Sequence, residues 1–102
     1  MDCRPNSDTF GKWIGITLDS KTKDMLYLPE GIAHGFLVLS DTAQFTYKCT
    51  DFYDPENEGG IPYDDPTINI LWPKLDVPYI TSPKDKKHLK FCDQKFECFS
   101  KY

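Results

Sequence analysis

The sequence predicts a small, mainly β domain, an antiparallel sandwich or barrel with at most one short helix near its C-terminal end. Three observations lead to this prediction. Apolar and polar residues alternate with a period of two over several short segments, turn-forming residues separate these segments, and no long helical pattern interrupts them. The 102 residues, 39% hydrophobic and 15% aromatic, have the length and composition of one globular domain.

Five strands are predicted, and they cover residues 12–18, 24–28, 34–39, 43–50 and 67–72. Turn chemistry separates the first four, at residues 19–23 (DSKTK), at Pro29-Glu30-Gly31 and at residues 40–42 (SDT). In the fourth strand the side chains of Phe45, Tyr47 and Cys49 share one face, so we expect Tyr47 to point inward among apolar neighbours.

The third predicted strand is apolar on both faces. His34, Phe36 and Val38 share one side, and Leu37 and Leu39 occupy the other. A strand without a wet face is typical of burial between two layers, so we expect the segment to lie between two sheets.

The second half of the chain is less regular. Residues 51–66 form a long acidic loop rich in proline and glycine, and a loop of this length in a small domain is usually functional or mobile. Near the C-terminal end a helix is predicted from the helical spacing of Leu89, Cys92, Phe96 and Phe99. We therefore divide the chain into a domain of residues 1–85 and a basic tail of residues 86–102.

Charge is distributed unevenly along the chain. The net charge of −4 combines −7 over residues 1–73 with +3 over residues 74–102. A short basic run could face an anion, although a solvated tail is the simpler interpretation; it comprises Lys84, Lys86, Lys87 and Lys90. No run of 18 apolar residues and no apolar segment after Met1 occurs, so we expect a cytoplasmic protein with neither a membrane nor a nucleic acid as partner.

His34 lies in the segment PEGIAH, which fits the pattern P-x-G-x-x-H of the second sequence motif of cupin barrels. Three roles remain open for this side chain: metal ligand, substrate contact, or core residue with a satisfied ring. The H-x-H motif that supplies further ligands in metal-binding cupins is absent from the sequence. The other histidine, His88, stands in a lysine-rich segment with no expected partner at ligand spacing, so we predict no metal site.

Several longer segments carry a more specific resemblance. TFGKWIGITLD, LYLPEGIAHGFLVLSDTAQFTYKCTDFYDPENEGGI, DDPTINILWP and TSPKD together resemble the C-terminal half of dTDP-4-dehydrorhamnose 3,5-epimerases, over about residues 3–85. The resemblance implies a cupin-type jelly-roll barrel, here partial, and metal-independent chemistry without a cofactor. It also implies a dTDP-4-keto-6-deoxyglucose substrate, whose C3 and C5 are inverted by removing protons beside the ketone and returning them on the other face.

The resemblance also implies roles for particular residues. Tyr47 matches the family's general acid. A phenol suits this role, since it is protonated at neutral pH and can donate its proton to a carbanion. Asp85 matches the carboxylate that orients the catalytic histidine. The implied substrate contacts are His34, Glu58, Lys84 and Tyr53, and the lysine is suited to a diphosphate.

The resemblance has one large departure. Relatives carry the catalytic base in an R-G-L-H-Y-Q segment of their N-terminal half, and these 102 residues contain no such segment. We therefore expect either a partial epimerase without its base or a non-catalytic half-cupin that binds a sugar nucleotide or oligomerises. A weaker alternative assigns the base to His34. A partial barrel exposes sheet edges and apolar surface, which predicts a homodimer.

Overall fold

The computed structural model describes residues 1–96, and regular secondary structure in this part is confined to two short 3-10 helices, Pro55–Asn57 and Phe91–Asp93. One isolated antiparallel bridge pairs Asp2 with Ile32. The five predicted strands form no ladder within the described residues, so the barrel stays a prediction. Over residues 86–96 only the second 3-10 turn occurs in place of the predicted helix, and Phe99 lies outside the described residues.

The turns predicted from local chemistry are confirmed. The Asp19 carboxylate accepts the backbone N–H groups of Lys21 and Thr22 at 2.8 and 2.9 Å. Gly31 ends the next turn with a φ of +84°, in the left-handed region that favours glycine. A Cβ at this position would also lie 2.5 Å from Cγ of Arg4, so both backbone conformation and space require glycine there.

The core lies where three distant parts of the chain meet. Cys3 and Ile68 are the buried apolar side chains of the described residues. The rings of Phe10, Phe91 and Phe96 pack beside them, with centroids 5.1 to 5.4 Å apart. Part of the predicted tail therefore packs against the N-terminal segment, and the division at residue 85 stays a prediction.

A buried carboxylate organises the N-terminal turn. Asp2 is 5% exposed and accepts hydrogen bonds from Arg4 through its backbone N–H and guanidinium, each at 2.9 Å. The hydroxyls of Ser7 and Thr9 donate to the same carboxylate at 2.6 and 2.5 Å. The Arg4 guanidinium, followed by these hydroxyls, holds the pKa of Asp2 far below its usual range, although burial alone would raise it.

A second buried carboxylate joins two segments that are far apart in sequence. Asp65 is 2% exposed and accepts the backbone N–H groups of Thr67 and Ile68 at 2.9 and 3.1 Å, and that of Phe91 at 2.7 Å. Burial acts to raise the pKa of Asp65, but these three donors outweigh it and the pKa is lowered. The carboxylate thus fastens the segment after residue 90 to the core.

We expect the chain to lose stability in acid because of these two carboxylates. Their folded-state pKa values lie below the unfolded value of about 3.9, so their stabilisation is present above about pH 4 and disappears as the pH falls through the folded values. Urea unfolding between pH 7 and pH 3 should show a falling free energy of unfolding, with a shallower fall in Asp2→Asn. A free energy that stays constant down to pH 3 would contradict this expectation.

Much of the apolar side-chain surface is exposed in the isolated chain. Ile14 and Phe36 are 80% and 58% exposed, and both belong to predicted strands. Burial between two layers is therefore not observed for the third predicted strand: Phe45 stacks on Phe36, but more than half of the Phe36 side chain stays exposed. No helix of residues 1–96 has the length and apolar character required to cross a membrane.

Candidate functional site

Two side chains that the resemblance assigned to the substrate are in contact. The Lys84 ammonium group donates to the Glu58 carboxylate across 26 residues of sequence. Local structure positions both partners: Glu58 directly follows the 3-10 helix Pro55–Asn57, whose first turn is capped by Asp54, and Lys84 stands in a tight turn. The pair lies at the surface, since the Lys84 side chain is 62% exposed.

Two more predicted site residues lie within electrostatic range of this pair. The hydrogen bond to Glu58 is the main reason why the pKa of Lys84 is raised, and smaller electrostatic contributions from Tyr53 and Asp85 act in the same direction. The Asp85 backbone N–H donates to Ser82 Oγ at 3.1 Å, which holds the turn that carries Lys84 and Asp85. The structure therefore brings together Tyr53, Glu58, Lys84 and Asp85, which we call the Glu58–Lys84 cluster.

His88 has a carboxylate neighbour. Its Nε2 lies 3.7 Å from Oδ1 of Asp85, three residues earlier in the chain, and its side chain is 21% exposed. The imidazole packs directly on Gly60, where any Cβ would collide with the ring. The sequence prediction concerned partners at metal-ligand spacing, whereas this single contact arises because a turn places residues i and i+3 side by side.

The general acid implied by the resemblance stands apart from this cluster. Tyr47 is 66% exposed, and its ring contacts Phe45 at a centroid distance of 5.3 Å. Phe45 in turn stacks on Phe36 at 4.3 Å. The expected inward direction of Tyr47 is not observed, because within residues 1–96 no second layer covers this aromatic row.

His34 is also exposed, and within residues 1–96 neither His34 nor Tyr47 takes part in a hydrogen bond or ion pair with the Glu58–Lys84 cluster. The structure therefore assembles four of the six predicted site residues and leaves these two elsewhere on the surface. Among the described residues, no three histidine, cysteine, aspartate or glutamate side chains come close enough together to hold a metal ion.

An open cleft of about 550 Å³ adjoins the cluster, and we call it the diglycine cleft after Gly59 and Gly60 in its lining. Lys87, His88 and Lys95 also line this cleft. Sequence reasoning treated Lys87 and His88 as parts of a solvated tail and did not consider the two glycines. The basic run was the available signal, but only folding of the chain brings it against the glycines.

Comparison with known proteins identifies relatives over most of the chain. The family model described as dTDP-4-dehydrorhamnose 3,5-epimerase matches residues 1–93, which extends past the resemblance seen in the sequence. A protein of that name from Escherichia coli K12 is 51% identical over 85% of this chain and 46% of its own length. Its namesake from Methanothermobacter thermautotrophicus is 48% identical over 84% of this chain and 47% of its own length.

A third relative of the same name, from Neisseria gonorrhoeae, is 46% identical over 93% of this chain and 32% of its own length. No solved structure matches the chain. The chain spans about half or less of the length of these relatives, and the matched region includes all six predicted site residues. The chain belongs to the dTDP-4-dehydrorhamnose 3,5-epimerase family.

Proposed function

We propose that the chain acts in the epimerisation of dTDP-4-keto-6-deoxyglucose at C3 and C5, a step of dTDP-rhamnose biosynthesis, on a cupin-type barrel. Membership of the family supports the reaction class, because the relatives carry the name of this epimerase. The observation that carries the proposal for the site is the convergence of Tyr53, Glu58, Lys84 and Asp85 in one surface cluster.

The cluster has the chemistry that a sugar nucleotide requires. The Lys84 ammonium group can bind a diphosphate, and in the substrate-free chain Glu58 occupies it. When the substrate binds, its diphosphate replaces Glu58 as the anionic partner of Lys84. Glu58 is then free to accept hydrogen bonds from sugar hydroxyls. Asp85 is available to orient an imidazole that takes the proton from the carbon beside the ketone, and Tyr47 then returns a proton to that carbon on the other face.

Solvent exchange tests this proposal. The chain is incubated with dTDP-4-keto-6-deoxyglucose in deuterated water, and NMR follows deuterium at C3 and C5. Incorporation above the protein-free rate, lost on replacement of Tyr47, supports epimerisation. The proposal is contradicted if deuterium is incorporated no faster than in buffer while the protein is saturated with the sugar nucleotide.

A binding module without turnover is the second candidate. It is favoured by the position of Tyr47, which contacts Phe45 and stands outside the Glu58–Lys84 cluster. This candidate predicts that a dTDP-sugar binds at the cluster while no deuterium is incorporated at C3 or C5. Loss of binding in Lys84→Gln together with absent exchange in the unaltered chain would favour it over the enzyme.

We also propose that the chain forms a homodimer. Apolar side chains of the predicted strands are exposed, and they include Ile14, Ile16, Leu26, Phe36 and Phe45. A stable interface buries about 1,600 Å² in total, and an apolar face of several strands can supply such an area.

Light scattering at micromolar concentration is therefore expected to give about twice the chain mass of 11.8 kDa. Phe45→Lys should shift the population toward monomer, because it places a charge on the aromatic row. Phe52→Lys changes a 95% exposed ring in the acidic loop and should leave the mass unaltered. A clean monomer of the unaltered chain would count against the dimer.

A further inference from the structure

We propose that the diglycine cleft is a binding site for a phosphate-class oxyanion, formed by the backbone of Gly59 and Gly60 together with Lys87, His88 and Lys95. The site is separate from the Lys84 ammonium group, which is neutralised by Glu58. The inference goes beyond the proposed epimerisation, because binding an anion requires neither a base nor turnover.

The cleft has the size and the shape of a small-ligand site. Its volume of about 550 Å³ falls within the range of about 300 to 1,000 Å³ that is usual for ligand pockets. The His88 ring forms part of its wall, packed on Gly60 and 3.7 Å from the Asp85 carboxylate. Contacts with Gly60 and Asp85 on two sides restrict the imidazole in the wall of the cleft.

The backbone at the two glycines offers donors. The Gly60 carbonyl accepts the side-chain amide of Gln94 at 2.7 Å, and the same amide donates to the Leu89 carbonyl at 2.5 Å. By contrast, the N–H groups of Gly59 and Gly60 donate to no group within residues 1–96. The space beside Gly60 is taken by the His88 ring, whereas the space beside Gly59 is open, so an anion can approach the backbone most closely at Gly59.

The charges of the cleft favour an anion. The ammonium groups of Lys87 and Lys95 form no ion pair within the part of the chain that the structure describes. One carboxylate, that of Asp93, lines the same cleft and offsets the charge of only one of the two lysines, so the lining has a net positive charge. This contrasts with the chain as a whole, whose net charge is −4.

Two backbone N–H groups without an intramolecular acceptor and two ammonium groups that line the same cleft suit an oxyanion with many acceptor oxygens. Phosphate and diphosphate groups carry such oxygens at high charge density, and lysine is a common partner for them. Both a free phosphate and the diphosphate of a nucleotide present this chemistry. The ligand class is therefore the phosphoryl group.

Titration with inorganic pyrophosphate, followed by amide ¹H–¹⁵N NMR of the unaltered chain, tests the site. We expect saturable shifts of the Gly59 and Gly60 amide signals with one common dissociation constant. The double variant Lys87→Gln, Lys95→Gln should weaken binding by about 100-fold, roughly tenfold for each lost charged hydrogen bond. The control Lys74→Gln, Lys86→Gln removes the same charge outside the cleft and should change binding by no more than about twofold.

Two results would overturn the proposal: the absence of saturable shifts at the two glycines, or an equal loss of affinity in both double variants, which would indicate unspecific screening.

Parallel titrations with dTDP and thymidine identify the source of the phosphoryl group. Tighter binding of dTDP than of pyrophosphate supports a nucleotide ligand, and equal binding supports a free phosphate. Displacement of pyrophosphate by thymidine, which has no phosphate, would contradict the site. None of these readouts depends on epimerisation, so failure of the proposed function leaves them interpretable.

Discussion

Tyr47→Phe is expected to reduce the deuterium incorporated with inversion at C3 and C5 of dTDP-4-keto-6-deoxyglucose by about 100-fold or more. The substitution removes only the phenolic hydroxyl, and a positioned general acid contributes about 10² to 10⁴ to the rate. The ring remains to contact Phe45, and because Tyr47 is 66% exposed its hydroxyl contributes little to stability. NMR of the product in deuterated water measures both the label and the configuration at each carbon.

Two controls separate this effect from general damage. Tyr27→Phe removes a hydroxyl from an 83% exposed side chain that has no predicted role in the site, and should leave exchange unaltered. Thermal unfolding of Tyr47→Phe should match that of the unaltered chain. His34→Asn with undiminished exchange would exclude His34 as base. If Tyr47→Phe retains the full rate of labelled inversion, the role of Tyr47 as the acid is wrong.

Asp65→Ala is expected to lower the free energy of unfolding by about 3 kcal/mol, a large part of the stability of a domain of this size. The carboxylate is 2% exposed and accepts three backbone N–H groups, and alanine would leave these donors without a partner. One of them belongs to Phe91, whose ring packs in the core, so the contact between the C-terminal segment and Phe10 should weaken as well.

Asp64→Ala is the matched control, since it removes the same charge from the adjacent, exposed position. Its effect should lie within about 0.5 kcal/mol. Asp65→Asn keeps one acceptor oxygen and should fall between the two. Urea unfolding, analysed with a common slope, measures the free energy of unfolding of all three variants. Equal losses in Asp64→Ala and Asp65→Ala would show that charge, rather than the hydrogen bonds, determines the effect.

Local chemistry accounts for the features that were predictable from sequence. The turn at Asp19 arises from a carboxylate that accepts backbone N–H groups two and three residues away. The turn at Gly31 needs a left-handed φ that glycine readily adopts. Such interactions depend on a few neighbouring residues, so reading the sequence in short windows finds them.

Prediction was weaker where the outcome depends on what covers a surface. The alternation around Tyr47 correctly predicts that Phe45 and Tyr47 lie on one side, and their rings are in contact. It cannot say whether a second layer lies opposite that side, and within residues 1–96 none does. Period-two alternation therefore identifies neighbours within a segment, whereas burial depends on other segments.

Residue type and short spacing were sufficient to identify the family, the turns and the residues that can carry sugar-nucleotide chemistry. The contacts of Glu58 with Lys84, of His88 with Gly60 and of Asp65 with Phe91 became visible only in the folded chain. The partners in each of these contacts are separated by more than 20 residues. No local pattern encodes which of the many possible loop closures is favourable, since that choice depends on the summed packing and electrostatics of the whole chain.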